Sequence, residues 1–210
     1  ASNTMLIDEG ATIDVQKSVE GLEARLIHQV GGTITVKSSD DGLNAKDWTL
    51  ESSEAQRPGQ QTKTVKAEAA NAKNLDQAGD VKIVIDGGTL TVDAEGDGLD
   101  ANGSIEINGG TVVVNGPTSG ANAALDYDNN AKLNGGTVLF VDNGGMTMGF
   151  GSDSSQAFLM ASVQGAAGAT VEVVDSSGKT VASLKASKSF STVLISSPEI
   201  KEGEKYTIKV

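Results

Sequence analysis

The chain has 210 residues, a net charge of −12 and 3% aromatic residues against 26 glycines. Its acidity excludes nucleic acid as a natural partner, because phosphates would be repelled rather than neutralised. No run reaches the ~20 apolar residues of a membrane span, and with no cysteine there is neither a disulfide framework nor a thiolate metal site.

A core poor in aromatics must be layered from aliphatic side chains, which favours a repeat architecture. The first repeat opens at Gly10-Ala11-Thr12, a weak copy of a motif that recurs as Gly31-Gly32-Thr33, Gly87-Gly88-Thr89, Gly109-Gly110-Thr111 and Gly135-Gly136-Thr137. Alternating apolar residues follow each copy: Ile13 and Val15, Ile34 and Val36, Leu90 and Val92, Val112 and Val114, Val138 and Phe140. That alternation predicts a strand with one buried face.

A second motif follows in each repeat, as Glu20-Gly21-Leu22-Glu23-Ala24, Asp41-Gly42-Leu43-Asn44-Ala45 and Asp97-Gly98-Leu99-Asp100-Ala101. The fourth copy, Ala123-Ala124-Leu125-Asp126-Tyr127, comes 4 residues late because the Gly116 to Gly120 turn is longer. A third short strand, Ile105-Glu106-Ile107, returns the chain to the next Gly-Gly-Thr. The spacing from threonine to threonine is 21 residues for the first pair, 22 from Thr89 to Thr111 and 26 from Thr111 to Thr137.

A repeat of three short strands and this length predicts one coil of a parallel β-helix, with coils stacked at ~4.8 Å. The leucine-rich horseshoe shares the period, but its Leu-x-x-Leu-x-Leu frame is missing. A nine-residue calcium roll has the wrong period. The expected fold is therefore all-β: a right-handed parallel β-helix over residues 1–145, with a small antiparallel C-terminal β module at 146–210.

The 56 residues from Thr33 to Thr89 imply an insertion at about 46–80. It holds the sole tryptophan, Trp48, a Pro58-Gly59 turn and a polar run from Thr64 to Gln77 whose last part is expected to form a short helix. Insertions on such repeats often mark the binding face. After Val141, Asp142 to Ser155 reads as a crossover, and five strand-like runs between Phe158 and Val210 read as a cap over the open end.

In a stacked repeat, equivalent positions lie above one another. One column then holds Glu20, Asp41 and Asp97; another holds Glu23, Asn44, Asp100 and Asp126. Like charges at that spacing repel, and a bound cation relieves the repulsion. Calcium, which takes six to eight oxygen ligands, suits such a ladder better than magnesium. One candidate set is Asp40, Asp41, Asn44, Asp97 and Asp100; a further set is Asp100, Asn102, Asp126 and Asp128. Asp and Asn before Gly are also ordinary turn formers, and that reading stays open. Trp48 and Tyr127 are candidate sugar contacts, since an aromatic ring suits the apolar face of a pyranose; packing on neighbouring coils is the alternative. His28 reads as structural, and Phe150 and Phe158 as core of the capping unit.

The Gly-Gly-Thr strand with its following Asp-Gly-Leu-x-Ala, together with Met148-Gly149-Phe150-Gly151 and Val193-Leu194-Ile195-Ser196-Ser197-Pro198, resembles the carbohydrate-binding β-helix proteins secreted by clostridia and other Gram-positive bacteria. The resemblance covers nearly the whole chain and implies a pectate-lyase-like fold, calcium between coils, and binding of cellulose or an acidic plant polysaccharide such as pectin without clear lyase activity. It implies a secreted or cell-surface location. Glu20 and Glu23 depart from the aspartates of later copies.

A β-eliminating lyase needs a Lys or Arg base beside calcium; the chain has only Arg25 and Arg57 as arginines, and Lys46, just after the ladder motif, is the best-placed base. The expected function is non-catalytic polysaccharide binding or adhesion. The alternatives are a calcium-dependent pectate-type lyase and a structural surface protein stacking head to tail into filaments.

Overall fold

The computed structural model describes residues 2–48, 81–119, 122–143 and 145–210. The protein is all-β. Strands β2 (Thr12–Ser18), β4 (Thr33–Ser38), β7 (Thr89–Ala94), β10 (Thr111–Asn115) and β13 (Thr137–Asp142) each begin at a repeat threonine. They pair in parallel with threonine opposite threonine, from Thr12 through Thr33, Thr89 and Thr111 to Thr137.

The rest of each repeat builds a second parallel sheet. It contains β1 (Ser2–Ile7), β3 (Leu22–Gln29), β5 (Leu43–Ala45), β6 (Lys82–Ile85), β8 (Leu99–Ala101), β9 (Ser104–Ile107), β11 (Leu125–Tyr127) and β12 (Asn130–Leu133). Leu22, Leu43, Leu99 and Leu125 are paired in succession, so the longer turn before the fourth copy is absorbed without a change of register. Strand β3 spans the width that later repeats divide between two strands, pairing β5 through Leu22 to Ala24 and β6 through Leu26 to Gln29. The insertion expected at about 46–80, with its turn and short helix, lies outside the described residues from position 49 onward.

Alternate side chains turn inward and stack by type. Ile34, Leu90, Val112 and Val138 form one column, and Val36, Val92, Val114 and Phe140 the next, none more than 1% exposed. Ile83 with Ile105, and Ile85 with Ile107 and Leu133, line the opposite wall. At ~1.5–3 kcal/mol for each fully buried aliphatic side chain, these columns build a core that needs few aromatics.

Strand β13 breaks the alternation. Val138 and Phe140 enter this first core, while Leu139 and Val141 enter a second one on the outer face. A continuous apolar run from Val138 to Val141 is what a strand covered on both faces requires. The cover comes from β15 (Thr170–Val174), β16 (Thr180–Lys185) and β18 (Thr207–Lys209), a three-stranded antiparallel sheet. Strand β17 (Phe190–Ser196) pairs antiparallel with β13 and ends the parallel run, and β14 (Leu159–Gly165) pairs with β17 beyond it.

The sequence places Phe150 and Phe158 in the core of the capping unit, but neither joins the second core. They pack on the first core, Phe150 lying 6.4 Å from Phe140 and 5.5 Å edge-on from Phe158 between ring centroids. The reason is the path of residues 149–156, which run along the free edge of β12: Gly151 N–H donates to Ala131 O (2.7 Å) and Gln156 N–H to Leu133 O (3.0 Å). The rings thus plug the end of the aliphatic stack. The loop between β16 and β17 is pinned to the repeats by Lys188, whose Nζ lies 2.9 Å from Asp93 Oδ1 and 3.1 Å from Glu95 Oε1 and donates to Ala94 O at 2.6 Å.

Candidate metal centre

The second motif forms the corner between the two sheets. There the backbones of successive repeats bond directly: Gly21 N–H to Asp41 O (2.9 Å), Gly42 N–H to Asp97 O (2.8 Å) and Gly98 N–H to Ala123 O (2.9 Å). The aspartates before Gly42 and Gly98 lean toward the following repeat. Asp41 Oδ1 accepts from Asp97 N–H at 2.7 Å, and Asp97 Oδ1 accepts from Ala123 N–H at 2.5 Å. One oxygen of each carboxylate therefore does the turn-forming work, and the other is left to face its neighbours.

That lean decides which carboxylates meet. Asp97, Asp100 and Asp126 each bring an oxygen within 4.8 Å of the others, and all three are half-buried. Asp100 and Asp126 are register partners on β8 and β11. The arrangement can hold a metal ion. It joins Asp97 of one predicted set to Asp126 of the other through Asp100, which both sets share, with Asp97 drawn forward to cap the corner at Ala123.

The electrostatics fit a site short of positive charge. Burial pushes the Asp97 carboxyl up to about 6, against the pull of the Ala123 N–H, with Asp41, Asp126 and Asp40 adding repulsion. Burial followed by repulsion from Asp41, Asp97, Asp126 and Asp128 pushes Asp100 up to about 7. Asp41 is raised chiefly by burial, and Glu20 by burial and then by Asp41. Among the described residues, the leading charges on Asp100 are all carboxylates.

Asn44, which pairs with Asp100 in the register and is 4% exposed, donates from Nδ2 to Asp41 Oδ2 at 3.1 Å. Its Oδ1 is buried without a hydrogen-bond partner, as is Glu20 Oε2. Buried oxygens of this kind are costly unless a donor or cation meets them. Asp40, Asn102 and Asp128 are exposed beside this column. Asp40 O accepts from Gly96 N–H (3.0 Å), Asn102 N–H donates to Ala45 O (2.9 Å) and Asp128 N–H to Ala101 O (3.0 Å).

Asp142, which the spacing assigned to a crossover, belongs to this corner. It is 2% exposed, and its Oδ2 accepts from Ala124 N–H at 2.9 Å and from Thr147 Oγ1 at 3.0 Å. The fourth copy has Ala123 in place of an aspartate, so the carboxylate that caps its corner comes from the end of β13. The sequence signal was that missing acid, with an aspartate directly after the last strand.

Lys46 Nζ lies 3.5 Å from Glu23 Oε1 and sits over the Trp48 ring, 5.7 Å from its centroid. Tyr127 is half-buried against the first core and donates its hydroxyl to Gly149 O at 2.7 Å, which ties the ring to the plugging segment. His28 Nε2 lies 2.6 Å from Asp86 Oδ2, and Asn108 Nδ2 donates to the other oxygen of Asp86 at 2.8 Å, a polar ladder on the outer face. A cleft of about 610 Å³ between 151–159 and 198–204 contains none of the acidic column.

No family model matches the chain, and no curated protein and no solved structure matches it significantly. No helix among the described residues is long and apolar enough to cross a membrane.

Proposed function

We propose that the chain is a right-handed parallel β-helix that binds calcium in its carboxylate column and holds an extracellular polysaccharide without cleaving it. The observation that carries the reading is the convergence of Asp97, Asp100 and Asp126 within 4.8 Å, where the leading charges on Asp100 from the described residues are all carboxylates. An all-oxygen donor set of carboxylates, an amide oxygen and nearby backbone carbonyls is calcium chemistry. The register that stacks one repeat on the next supports the β-helix.

The three carboxylates are half-buried, so an ion among them keeps coordination positions toward solvent. A uronate carboxylate or sugar hydroxyls can fill those positions, which is how an acidic protein gains an acidic glycan as partner. Trp48, beside the column, offers a face for a pyranose. A partly exposed site of this kind suits the calcium levels outside cells, where modules bind at about 10⁻⁴–10⁻³ M. Lys46 supports the non-catalytic reading, since its ammonium is shared between Glu23 and the Trp48 ring rather than held free as a base.

Retention on polygalacturonate and on cellulose, assayed with calcium and again with a chelator, tests the proposal. The protein is expected to be retained on at least one of them in calcium. Chelation and Asp100→Asn are each expected to weaken retention on the acidic glycan about tenfold or more, equivalent to ~1.4 kcal/mol. Failure to bind either glycan in calcium contradicts the reading. Appearance of unsaturated uronate product would replace it with the lyase alternative.

A further inference from the structure

An Asn-Gly pair is prone to lose the side-chain amide, because glycine puts no Cβ in the path of its own nitrogen toward the asparagine Cγ. The chain has such pairs at Asn102, Asn108, Asn115, Asn134 and Asn143. Their surroundings differ sharply. Asn108 and Asn134 belong to the polar ladder: Asn108 Nδ2 donates to Asp86 Oδ1 and Asn134 Nδ2 to Asn108 Oδ1, both at 2.8 Å, and Asn134 Oδ1 accepts from Ser155 Oγ at 3.2 Å. The nitrogens that would attack them, Gly109 N and Gly135 N, donate to Ile85 O and Ile107 O at 3.4 Å. Asn115 is 6% exposed, its Oδ1 accepts from Ser187 N–H at 2.8 Å, and Gly116 N–H donates to Val141 O at 2.8 Å. Asn143 donates from its side chain to Thr118 O, and Gly144 lies outside the described residues.

Asn102 has none of these restraints. It is exposed, in the two-residue corner between β8 and β9. Its N–H donates to Ala45 O at 2.9 Å, and Gly103 O accepts from Asn129 N–H at 2.8 Å. Among the described residues, however, neither the Asn102 side chain nor Gly103 N–H has a hydrogen-bond partner. Packing holds the glycine in place, since a Cβ on Gly103 would stand 1.9 Å from Val81 O. The corner therefore keeps an unbonded nitrogen beside an unbonded amide.

We propose that Asn102 is a site of spontaneous deamidation in the folded protein, reacting ahead of Asn108, Asn115 and Asn134. Gly103 N gives its proton to solvent base and attacks Asn102 Cγ. The N–Cγ bond forms, the Cγ–Nδ2 bond breaks, and Nδ2 leaves as ammonia. Water then opens the cyclic imide. Opening at one carbonyl leaves an aspartate; opening at the other leaves an isoaspartate, which lengthens the main chain by one methylene between β8 and β9. Either product exchanges a neutral amide for a carboxylate next to Asp128, because Ala101 and Tyr127 are register partners. The reaction needs no metal, so it stands apart from the calcium reading.

Peptide mapping by mass spectrometry, after incubating the folded protein at mildly alkaline pH with a chelator, reads the sites separately. Asn102 is expected to convert at least about tenfold faster than Asn108, Asn115 or Asn134, whose reaction waits on local opening. In urea-unfolded protein that lead is expected to disappear. Asn102→Gln, whose longer side chain would have to close a larger ring, is expected to abolish the fast conversion. Asn108, Asn115 or Asn134 converting as fast as Asn102 in the folded protein overturns the proposal. So does an Asn102 that converts only after unfolding.

Discussion

Stripped of divalent cations, the protein is expected to melt at a lower temperature at about pH 7.5 than at about pH 5. Asp97 and Asp100 have folded-state values near 6 and 7, above the ordinary 3.8. Between those limits the native protein binds more protons than the unfolded chain, so stability falls as pH rises. The contribution is complete below the ordinary carboxylate range and is lost as pH passes through 6 to 7. Solvent still reaches these half-exposed groups and screens them, which leaves a loss on the order of 2 kcal/mol, or about 4–8 °C in a chain of this size.

Added calcium is expected to reverse the sign of the trend, because the proposed site needs ionised carboxylates. Its stabilising effect is expected to grow from pH 5 to 7.5, where protons no longer compete. Scanning calorimetry at both pH values, with chelator and with calcium, reads this directly. Asp100→Asn is expected to flatten the cation-free dependence. A cation-free protein that is more stable at the higher pH would contradict the burial of charge on which the site rests.

Replacing Gly98 by alanine is expected to cost about 3 kcal/mol, near the upper end of what overpacking does. A Cβ there would collide with Val114 Cγ1 and stand 2.6 Å from Ala124 O in the next repeat. Gly42 is confined in the same way, with Gly98 O 2.5 Å from the position of its Cβ. The motif needs glycine at this corner because successive backbones approach too closely for a side chain. By contrast, an alanine at Gly178, with φ of 89° and nothing within 4 Å of its Cβ, meets only backbone strain of ~1 kcal/mol. Urea denaturation separates the two cases. A Gly98→Ala midpoint as high as that of Gly178→Ala would show that the repeats are not packed at this distance.

The two glycine types illustrate what could be read before any coordinates. Gly-Gly-Thr and Asp-Gly-Leu both signalled corners, and spacing alone aligned the threonines and leucines, including the late copy at Leu125. Spacing did not say why each glycine is there. The second glycine of Gly-Gly-Thr adopts φ of 73° to 89° in Gly32, Gly88, Gly110 and Gly136, whereas the corner glycines are held by contact. The column of acids was likewise legible, since stacking follows from the repeat. The triad within it was not, because it depends on Asp97 reaching forward to Ala123 N–H, a side-chain direction that periodicity leaves free. The placement of Phe150 and Phe158 was hidden for a related reason: it follows from residues 149–156 bonding along the edge of β12, a pairing that no repeat motif marks. Val138 to Val141 did carry a signal that β13 is covered twice, in its unbroken apolar run.

The measurement closest to the central claim is a calorimetric titration of calcium into the cation-free protein and into Asp100→Asn. Calcium is expected to bind the wild-type chain, and the variant is expected to bind at least about tenfold more weakly, a difference of ~1.4 kcal/mol. No detectable binding, or equal affinity in the two proteins, would mean that the converging carboxylates of Asp97, Asp100 and Asp126 are not a calcium site.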